Sequence, residues 1–326
     1  MSYDDFIKEW YSESETISCH TSGSTGTPSH INLPKREMIS SARRTCSFFE
    51  ITSDSRLHSC ISPDYIGGKM MFVRSVVSGA KFSYESPSNR PLDRFTGQTL
   101  DLVSVVPSQM LHIFDRPDII SSVKNFLIGG SAIPEEIREQ IMNLRISAYE
   151  SYGMTETSSH IALRRIQNET EWFETLPGIS VFYHSGSQLG IKIDGWKEFF
   201  TNDVAEIKSP TSFKIIGRAD NAINTGGKKV FPEVIERKLS RHLNIPFFIS
   251  SHPDEKWGER VVLATSDTAT STEAIMKICK SILPSHETPK EIIRLSEIPM
   301  TPNGKIKRIK FPVSNPSPLH FEKLSE

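Results

Sequence analysis

Between Leu57 and Tyr149 the chain repeats one pattern, a short apolar run followed by a stretch with helical spacing. Leu57 to Ile61, Lys81 to Tyr84, Leu100 to Val106, Val123 to Ile128 and Ile146 to Tyr149 read as strands. Between them, Lys69 to Val77 and Pro107 to Phe114 read as helices, and Pro134-Glu135-Glu136 opens another, with proline in its first turn and acids against the positive end of the dipole. Such alternation admits few folds: βαβ units in a largely parallel sheet, with helices on both faces. The carboxyl ends of parallel strands are where ligands gather. Three loops there carry unusual chemistry, Thr21 to Ser29, Gly129-Gly130-Ser131-Ala132 and Ser151 to Thr157, and they are expected to face one crevice.

The first loop, Thr21-Ser22-Gly23-Ser24-Thr25-Gly26-Thr27-Pro28-Ser29, follows a predicted strand at Thr16 to His20. Glycine lets backbone N–H groups turn inward, and the Ser and Thr hydroxyls add donors to the same concavity, which suits a phosphate. It is not the P-loop, because no Lys follows Gly26 and Pro28 interrupts an immediate helix. Taken alone, the stretch reads equally as a flexible connector. Tyr152-Gly153-Met154-Thr155-Glu156-Thr157 combines a ring that can stack on a purine, a hydroxyl for a phosphate and a carboxylate for Mg²⁺; the plainer reading is a buried Tyr and a surface acid. Gly129-Gly130-Ser131 offers close approach to a flat ring, or simply enters a helix. Asp203 and Arg218 can hold a ribose or be solvated charges, and Lys305 is either a mobile cation for a developing negative charge or one more exposed lysine.

The remaining chain shows an amphipathic helix at Arg36 to Phe49 and, from Phe182 to Phe213, short alternating strands with turns at Ser185-Gly186-Ser187 and Asp194-Gly195. A strand at Phe213 to Ile216 precedes the boundary drawn between residues 1–219 and 220–326. The second part carries a turn at Gly226-Gly227, helices at Glu233 to Leu243 and Glu273 to Leu283, and three short strands, an α+β lobe. With 38 basic against 39 acidic residues in 326, no global field favours nucleic acid or an anionic membrane. The N-terminus lacks the basic and apolar character of a secretory signal, and no run approaches the roughly 20 apolar residues that span a bilayer, so the expectation is a cytoplasmic protein. Cys19, Cys46, Cys60 and Cys279 lack metal-ligand spacing and the ten histidines show no HExxH pairing, so the cysteines read as reduced structural thiols and a bound transition metal is not expected.

In their order along the chain, Thr21 to Pro28, Tyr152 to Thr157, Thr201-Asn202-Asp203, Gly217-Arg218-Ala219-Asp220 and Pro302-Asn303-Gly304-Lys305 closely resemble the core motifs of the adenylate-forming superfamily of acyl-CoA synthetases, adenylation domains and luciferases. The resemblance runs from Thr16 to Arg308, and Tyr152 to His160 with the ending Ile298 to Lys305 looks most like o-succinylbenzoate–CoA ligases of menaquinone synthesis. It implies an α/β fold class, a large N-terminal α/β domain with layered sheets, shortened at its start, plus a small mobile C-terminal α+β domain. It also implies ATP, Mg²⁺ and coenzyme A as reactants and cofactor. Thr21, Ser22, Gly23, Ser24, Thr25 and Gly26 would cradle the β- and γ-phosphates. Tyr152 and Gly153, with Gly130 and Ser131, would bind adenine, Thr155 the α-phosphate, Glu156 Mg²⁺, and Asp203 and Arg218 ribose. Asp220 would be a hinge, Gly226 and Gly227 would face coenzyme A, and Lys305 would bridge the attacking carboxylate and the α-phosphate. Tyr65, Gly68, Ser158 and His160 are candidates for the acyl pocket, with Ser159 between the last two.

Three positions depart from the family pattern. Ser29-His30 stands where a Lys usually follows the loop's proline, Asn202 stands where Gly is usual, and about twenty residues precede the loop instead of a long segment. The short start motivates a homodimer that covers an exposed sheet edge. Besides an acid–CoA ligase, a stand-alone enzyme loading a carrier protein and a nucleotide-binding protein without catalysis fit the same motifs; Glu156 and Lys305 favour catalysis.

Overall fold

The computed structural model describes residues 1–20, 30–167, 171–300 and 306–311, so the loop residues Thr21 to Gly26, and Lys305, lie outside the described residues. The chain divides into two compact units, Met1–Phe182 with Gly190–Phe199 and Ile207–Lys214, and Tyr183–Leu189 with Phe200–Glu206 and Ile215–Glu326.

The first unit opens on helix α1 (Tyr3–Trp10) and an antiparallel pair, β1 (Thr16–His20) and β2 (His30–Pro34). The sequence reading assigned nothing to α1, which is too short for periodicity to show. Ser2 caps it in a reciprocal box with Asp5, and Tyr3, Phe6 and Trp10 bury one face among Ile17, Met38 and Phe72. There follow α2 (Lys35–Phe48), β3 (Arg56–Ser59), α3 (Ile66–Ser78), β4 (Lys81–Tyr84), β5 (Leu102–Val105), α4 (Pro107–Phe114), α5 (Pro117–Ser122), β6 (Phe126–Ile128), α6 (Glu135–Asn143), β7 (Ala148–Met154), β8 (Ser159–Arg165) and β9 (Phe173–Thr175). Strands β4, β3, β5, β6 and β7 lie side by side and parallel, as the alternation requires. Every residue of β5 and β6 is buried, the mark of strands covered on both faces.

The expectation of a loop from Ser151 is corrected. Strand β7 continues through Tyr152 and Gly153 to Met154 and turns back through a 3₁₀ turn, Thr155–Thr157, into β8, which pairs with it antiparallel. Ser158 at φ 52° and Ser159 at φ 96° make that reversal, conformations that residues with a Cβ rarely adopt.

Strands β10 (Ile179–His184), β11 (Gln188–Ile193), β12 (Phe199–Ser209) and β13 (Ser212–Arg218) each carry residues of both units. The second unit then holds β14 (Ile223–Thr225), β15 (Lys228–Val230), α7 (Pro232–Ser240), β16 (Phe247–Asp254), β17 (Gly258–Thr265), α8 (Thr272–Ile282) and β18 (Glu291–Arg294). Its strands run in the order β15-β14-β17-β16 with β18 parallel on β17, over an apolar core that includes Ile235, Leu263 and Ile275, an α+β arrangement.

Candidate active site

In the first unit the parallel pairing of β6 with β7 brings two of the predicted segments together. Ser151 Oγ donates to Ile128 O at 3.0 Å, which sets Gly129, Gly130 and Ser131, at the end of β6, beside the Tyr152 strand. Tyr152 is half-buried, its ring edge-on to Phe213 at 5.2 Å and tilted on Phe173 at 5.7 Å, so two aromatic neighbours hold its plane. Gly153 is required by the hairpin itself: a Cβ there would lie 2.4 Å from both Ser159 O and His160 Cα, backbone that cannot move aside. Gly153→Ala is therefore expected to cost about 1–3 kcal/mol in urea unfolding, the scale of an overpacked core. An unchanged midpoint would show that the turn relaxes freely.

Beyond Gly153 the turn is held by Thr157, whose Oγ1 accepts from Met154 N at 3.1 Å and lies 2.8 Å from Ser159 O. Thr155 is buried with Oγ1 3.5 Å from His20 O, at the end of β1 and so directly before the serine-, threonine- and glycine-rich loop. Glu156 is exposed and has no cationic partner among the described residues. A carboxylate held on a rigid turn is the hard oxygen donor that Mg²⁺ takes, so the residues present fit that ion.

Behind the turn lies a polar cluster that the sequence reading reached at Ser158, Ser159 and His160 but not at Arg74. Arg74, in the middle of α3, is 1 % exposed, and no carboxylate lies within ion-pairing distance among the described residues. Its Nη2 reaches Ser159 Oγ at 3.2 Å and His160 Nδ1 at 3.4 Å, while its Nε and Ser158 Oγ are buried with no hydrogen-bond partner. Burial lowers the Arg74 pKa to about 10, still charged at neutral pH. His160 Nε2 is 3.0 Å from Thr45 Oγ1, which donates to Ser41 O, so the tautomer with Nε2–H donating and Nδ1 accepting from Arg74 uses every group. Burial first, and the Arg74 charge second, hold His160 well below the usual imidazole pKa. The unfolded chain takes up a proton at His160 below about pH 6.5 that the folded chain does not, so stability falls as pH falls through that range. His160→Gln is expected to flatten the loss by up to about 1.4 kcal/mol per pH unit, read from urea midpoints at two pH values. An identical slope in the variant would place the proton uptake elsewhere.

Of the other acyl-pocket candidates, Tyr65 is exposed at the start of α3, and Gly68 is buried with its carbonyl accepting from Tyr3 Oη at 3.0 Å. Two surface clefts, one around Arg56, Asp101 and Lys124 and one around Asp93 and Arg116, contain no residue singled out from the sequence.

In the second unit Asp203 and Arg218 do meet. Arg218 donates to Asp203 Oδ1 at 3.2 Å and to Asp220 Oδ2 at 2.8 Å, and Asn202 donates to the same Asp220 oxygen at 3.3 Å. Asp203 N in turn donates to Thr201 Oγ1 at 3.1 Å. Predicted ribose and hinge residues thus form one bonded set. Gly226 (φ 56°) and Gly227 (φ 76°) make the two-residue turn between β14 and β15, where both central residues need the left-handed region. Gly226 lies under Trp257, whose ring a Cβ would strike at 2.6 Å.

With this geometry in hand, comparison with known proteins is informative. The family described as AMP-binding enzyme matches residues 9–182. A 2-succinylbenzoate–CoA ligase of Enterococcus faecalis is 24% identical over 95% of this chain and 72% of its own length, and one of Listeria monocytogenes is 23% identical over 95% and 74%. Among solved structures, an acyl-CoA synthetase (AMP-forming)/AMP-acid ligase II-like protein of Dyadobacter fermentans is 30% identical over 93% of this chain and 90% of its own, with a TM-score of 0.63. The o-succinylbenzoate CoA synthetase of Bacillus subtilis, in complex with the acyl-adenylate intermediate OSB-AMP, shares the fold at a TM-score of 0.78 and 19% identity, over 89% of this chain and 67% of its own.

Proposed function

The chain belongs to the AMP-binding enzyme family and is an AMP-forming acid–CoA ligase, and we propose that its acid is o-succinylbenzoate, activated in the cytoplasm for menaquinone biosynthesis. The relatives named 2-succinylbenzoate–CoA ligase support that acid. The observation that carries it is Arg74: a buried guanidinium with a spare donor, bonded to Ser159, the residue after Ser158 whose hydroxyl is unpartnered, suits an acid with a second carboxylate to anchor besides the one that reacts.

A free carboxylate acylates poorly because its oxygen leaves badly and its charge repels nucleophiles. Attack on the α-phosphorus of ATP forms the carboxylate–phosphorus bond as the bond to pyrophosphate breaks, and AMP then leaves readily from the acyl carbon. Two anions must meet in this step, so donors and cations aimed at the phosphorus carry the catalysis. In this reading Tyr152 packs on adenine beside Gly130 and Ser131, Thr155 donates to the α-phosphate, and the Arg218-tethered Asp203 accepts from the ribose hydroxyls. Thr21 to Gly26 cradle the outer phosphates and Lys305 bridges the attacking oxygen and the α-phosphate. Mg²⁺ held by Glu156 neutralises the departing pyrophosphate. The 220–326 part then turns about Asp220, withdrawing Lys305 and presenting Gly226-Gly227 to the pantetheine arm while the thiol attacks the acyl carbonyl.

Acid-dependent exchange of labelled pyrophosphate into ATP, run with o-succinylbenzoate, fatty acids and benzoates, tests the reading. We expect exchange with o-succinylbenzoate and a coenzyme A thioester when the thiol is added. Strong exchange only with another acid overturns the choice of acid, and acyl transfer only to a carrier protein overturns coenzyme A as acceptor. The homodimer is tested by light scattering, where a strictly monomeric mass counts against it.

A further inference from the structure

Away from the residues that the adenylation reading uses, His58, Cys60 and Glu85 place a nitrogen, a sulfur and an oxygen within 4.8 Å of one another. We propose that they form a site for a borderline-soft divalent cation of the Zn²⁺ kind, with a fourth position left for water.

His58 is the third residue of β3, Cys60 comes just after the strand and two residues on, and Glu85 directly follows β4, the parallel neighbour. The His58 side chain is only 7% exposed, and its Nε2, 3.9 Å from Glu85 Oε2, has no hydrogen-bond partner. That is a buried lone pair or proton aimed at the centre of the cluster. Its other nitrogen is already tied: Nδ1 lies 2.8 Å from Ser83 Oγ, which donates to Leu57 O at 3.4 Å. Nδ1 therefore carries the proton when Ser83 accepts it, and Nε2 presents a lone pair, which is how a metal-binding imidazole is usually oriented.

The two remaining donors are held in the same way. Glu85 Oε1 accepts from Leu92 N at 2.8 Å, which leaves Oε2 turned to His58. The Cys60 backbone is fixed at both ends, its N–H donating to Ser104 O at 3.1 Å and its carbonyl accepting from Gln109 Nε2 at 3.0 Å. In a tetrahedral shell with bonds of about 2.0–2.3 Å the donor atoms stand about 3.3–3.8 Å apart, so a cation would draw these three together by about 1.5 Å at most. Binding exchanges the Cys60 thiol proton, released to solvent, for a metal–sulfur bond. One thiolate and one carboxylate then balance the two positive charges, so the filled site buries no net charge. A mixed nitrogen, sulfur and oxygen set selects Zn²⁺ or Co²⁺ over Mg²⁺. The bound ion would fasten β3 to the chain that leaves β4.

The whole chain, stripped with chelator under reducing conditions, is titrated with Co²⁺ in the presence of excess Mg²⁺. We expect one equivalent to bring up the sulfur-to-cobalt charge-transfer band and the visible bands of a tetrahedral site, and one equivalent of Zn²⁺ to abolish them and raise the melting temperature. In Cys60→Ser, which keeps the three other cysteines, the charge-transfer band should vanish, and in His58→Gln and Glu85→Gln affinity should fall at least tenfold. X-ray absorption of the wild-type complex needs no variant and should count one sulfur. A wild-type chain with no charge-transfer band, a band that persists in Cys60→Ser, or a shell of only nitrogen and oxygen, as the exposed His20 and His30 pair would give, overturns the site.

Discussion

Replacing Arg74 by methionine is expected to lower kcat/KM for o-succinylbenzoate by on the order of 10²- to 10³-fold, because it strips the cation from a buried charge pair formed with the substrate. A monocarboxylic analogue that lacks the second carboxylate should be used equally well by both proteins. The comparison between the two acids removes any general damage to the site, which would slow both. The same substitution should raise thermal stability. The depression of the Arg74 pKa to about 10 corresponds to a cost on the order of 3 kcal/mol for keeping the charge out of water with no carboxylate beside it among the described residues, and methionine removes that cost while filling much of the volume. A variant that loses activity and melts lower, or that slows both acids alike, would show that Arg74 is a structural strut for Ser159 and His160 and not a receptor for the acid.

Lys305→Ala is expected to slow formation of the acyl-adenylate by on the order of 10²-fold or more, the scale of a single charge-stabilising group at an oxyanion. Thioester formation from supplied acyl-adenylate and coenzyme A should be nearly unchanged, since that half-reaction needs no cation at the α-phosphorus. Single-turnover measurement of each half-reaction separates the two. Equal losses in both would mean that Lys305 holds the folded arrangement of the tail, and no loss in either would remove it from the chemistry.

The two residues mark two kinds of legibility. Lys305, which lies outside the described residues, is singled out from the chain alone, by a short run of Pro, Asn, Gly and Lys whose composition is a local property. The alternation between Leu57 and Tyr149 was legible for the same reason: the apolar runs of β5 and β6 record burial on both faces, while the order β4, β3, β5, β6, β7 is known only from the structure. Arg74 gave no such signal. In sequence it is, with Lys69, one of two charged residues in a largely apolar helix, and its neighbours Ser159 and His160 lie more than eighty positions away.

The Tyr152 segment was expected to be a loop and is a strand that turns back on itself. Glycine beside an aromatic and a threonine signals a turn on propensity, yet the pairing of β7 with β8 overrides it, and Gly153 is there to let Ser159 and His160 cross close by. The sequence reading expected no bound transition metal from cysteine and histidine spacing, and the grouping of His58, Cys60 and Glu85 was invisible to it because parallel pairing of β3 with β4 is what brings Glu85 near.

By itself, the sequence determined the layered α/β class and the order of the nucleotide motifs, since hydrophobic periodicity and glycine-rich turns act over a few residues. Only the tertiary structure decided which polar side chains are withdrawn from water with a valence left over: Arg74 behind the Ser158 turn and His58 above Cys60. Burial is a property of segments packed from distant parts of the chain, and a buried unsatisfied group, unlike an exposed one, is costly unless water, an ion or a ligand completes it.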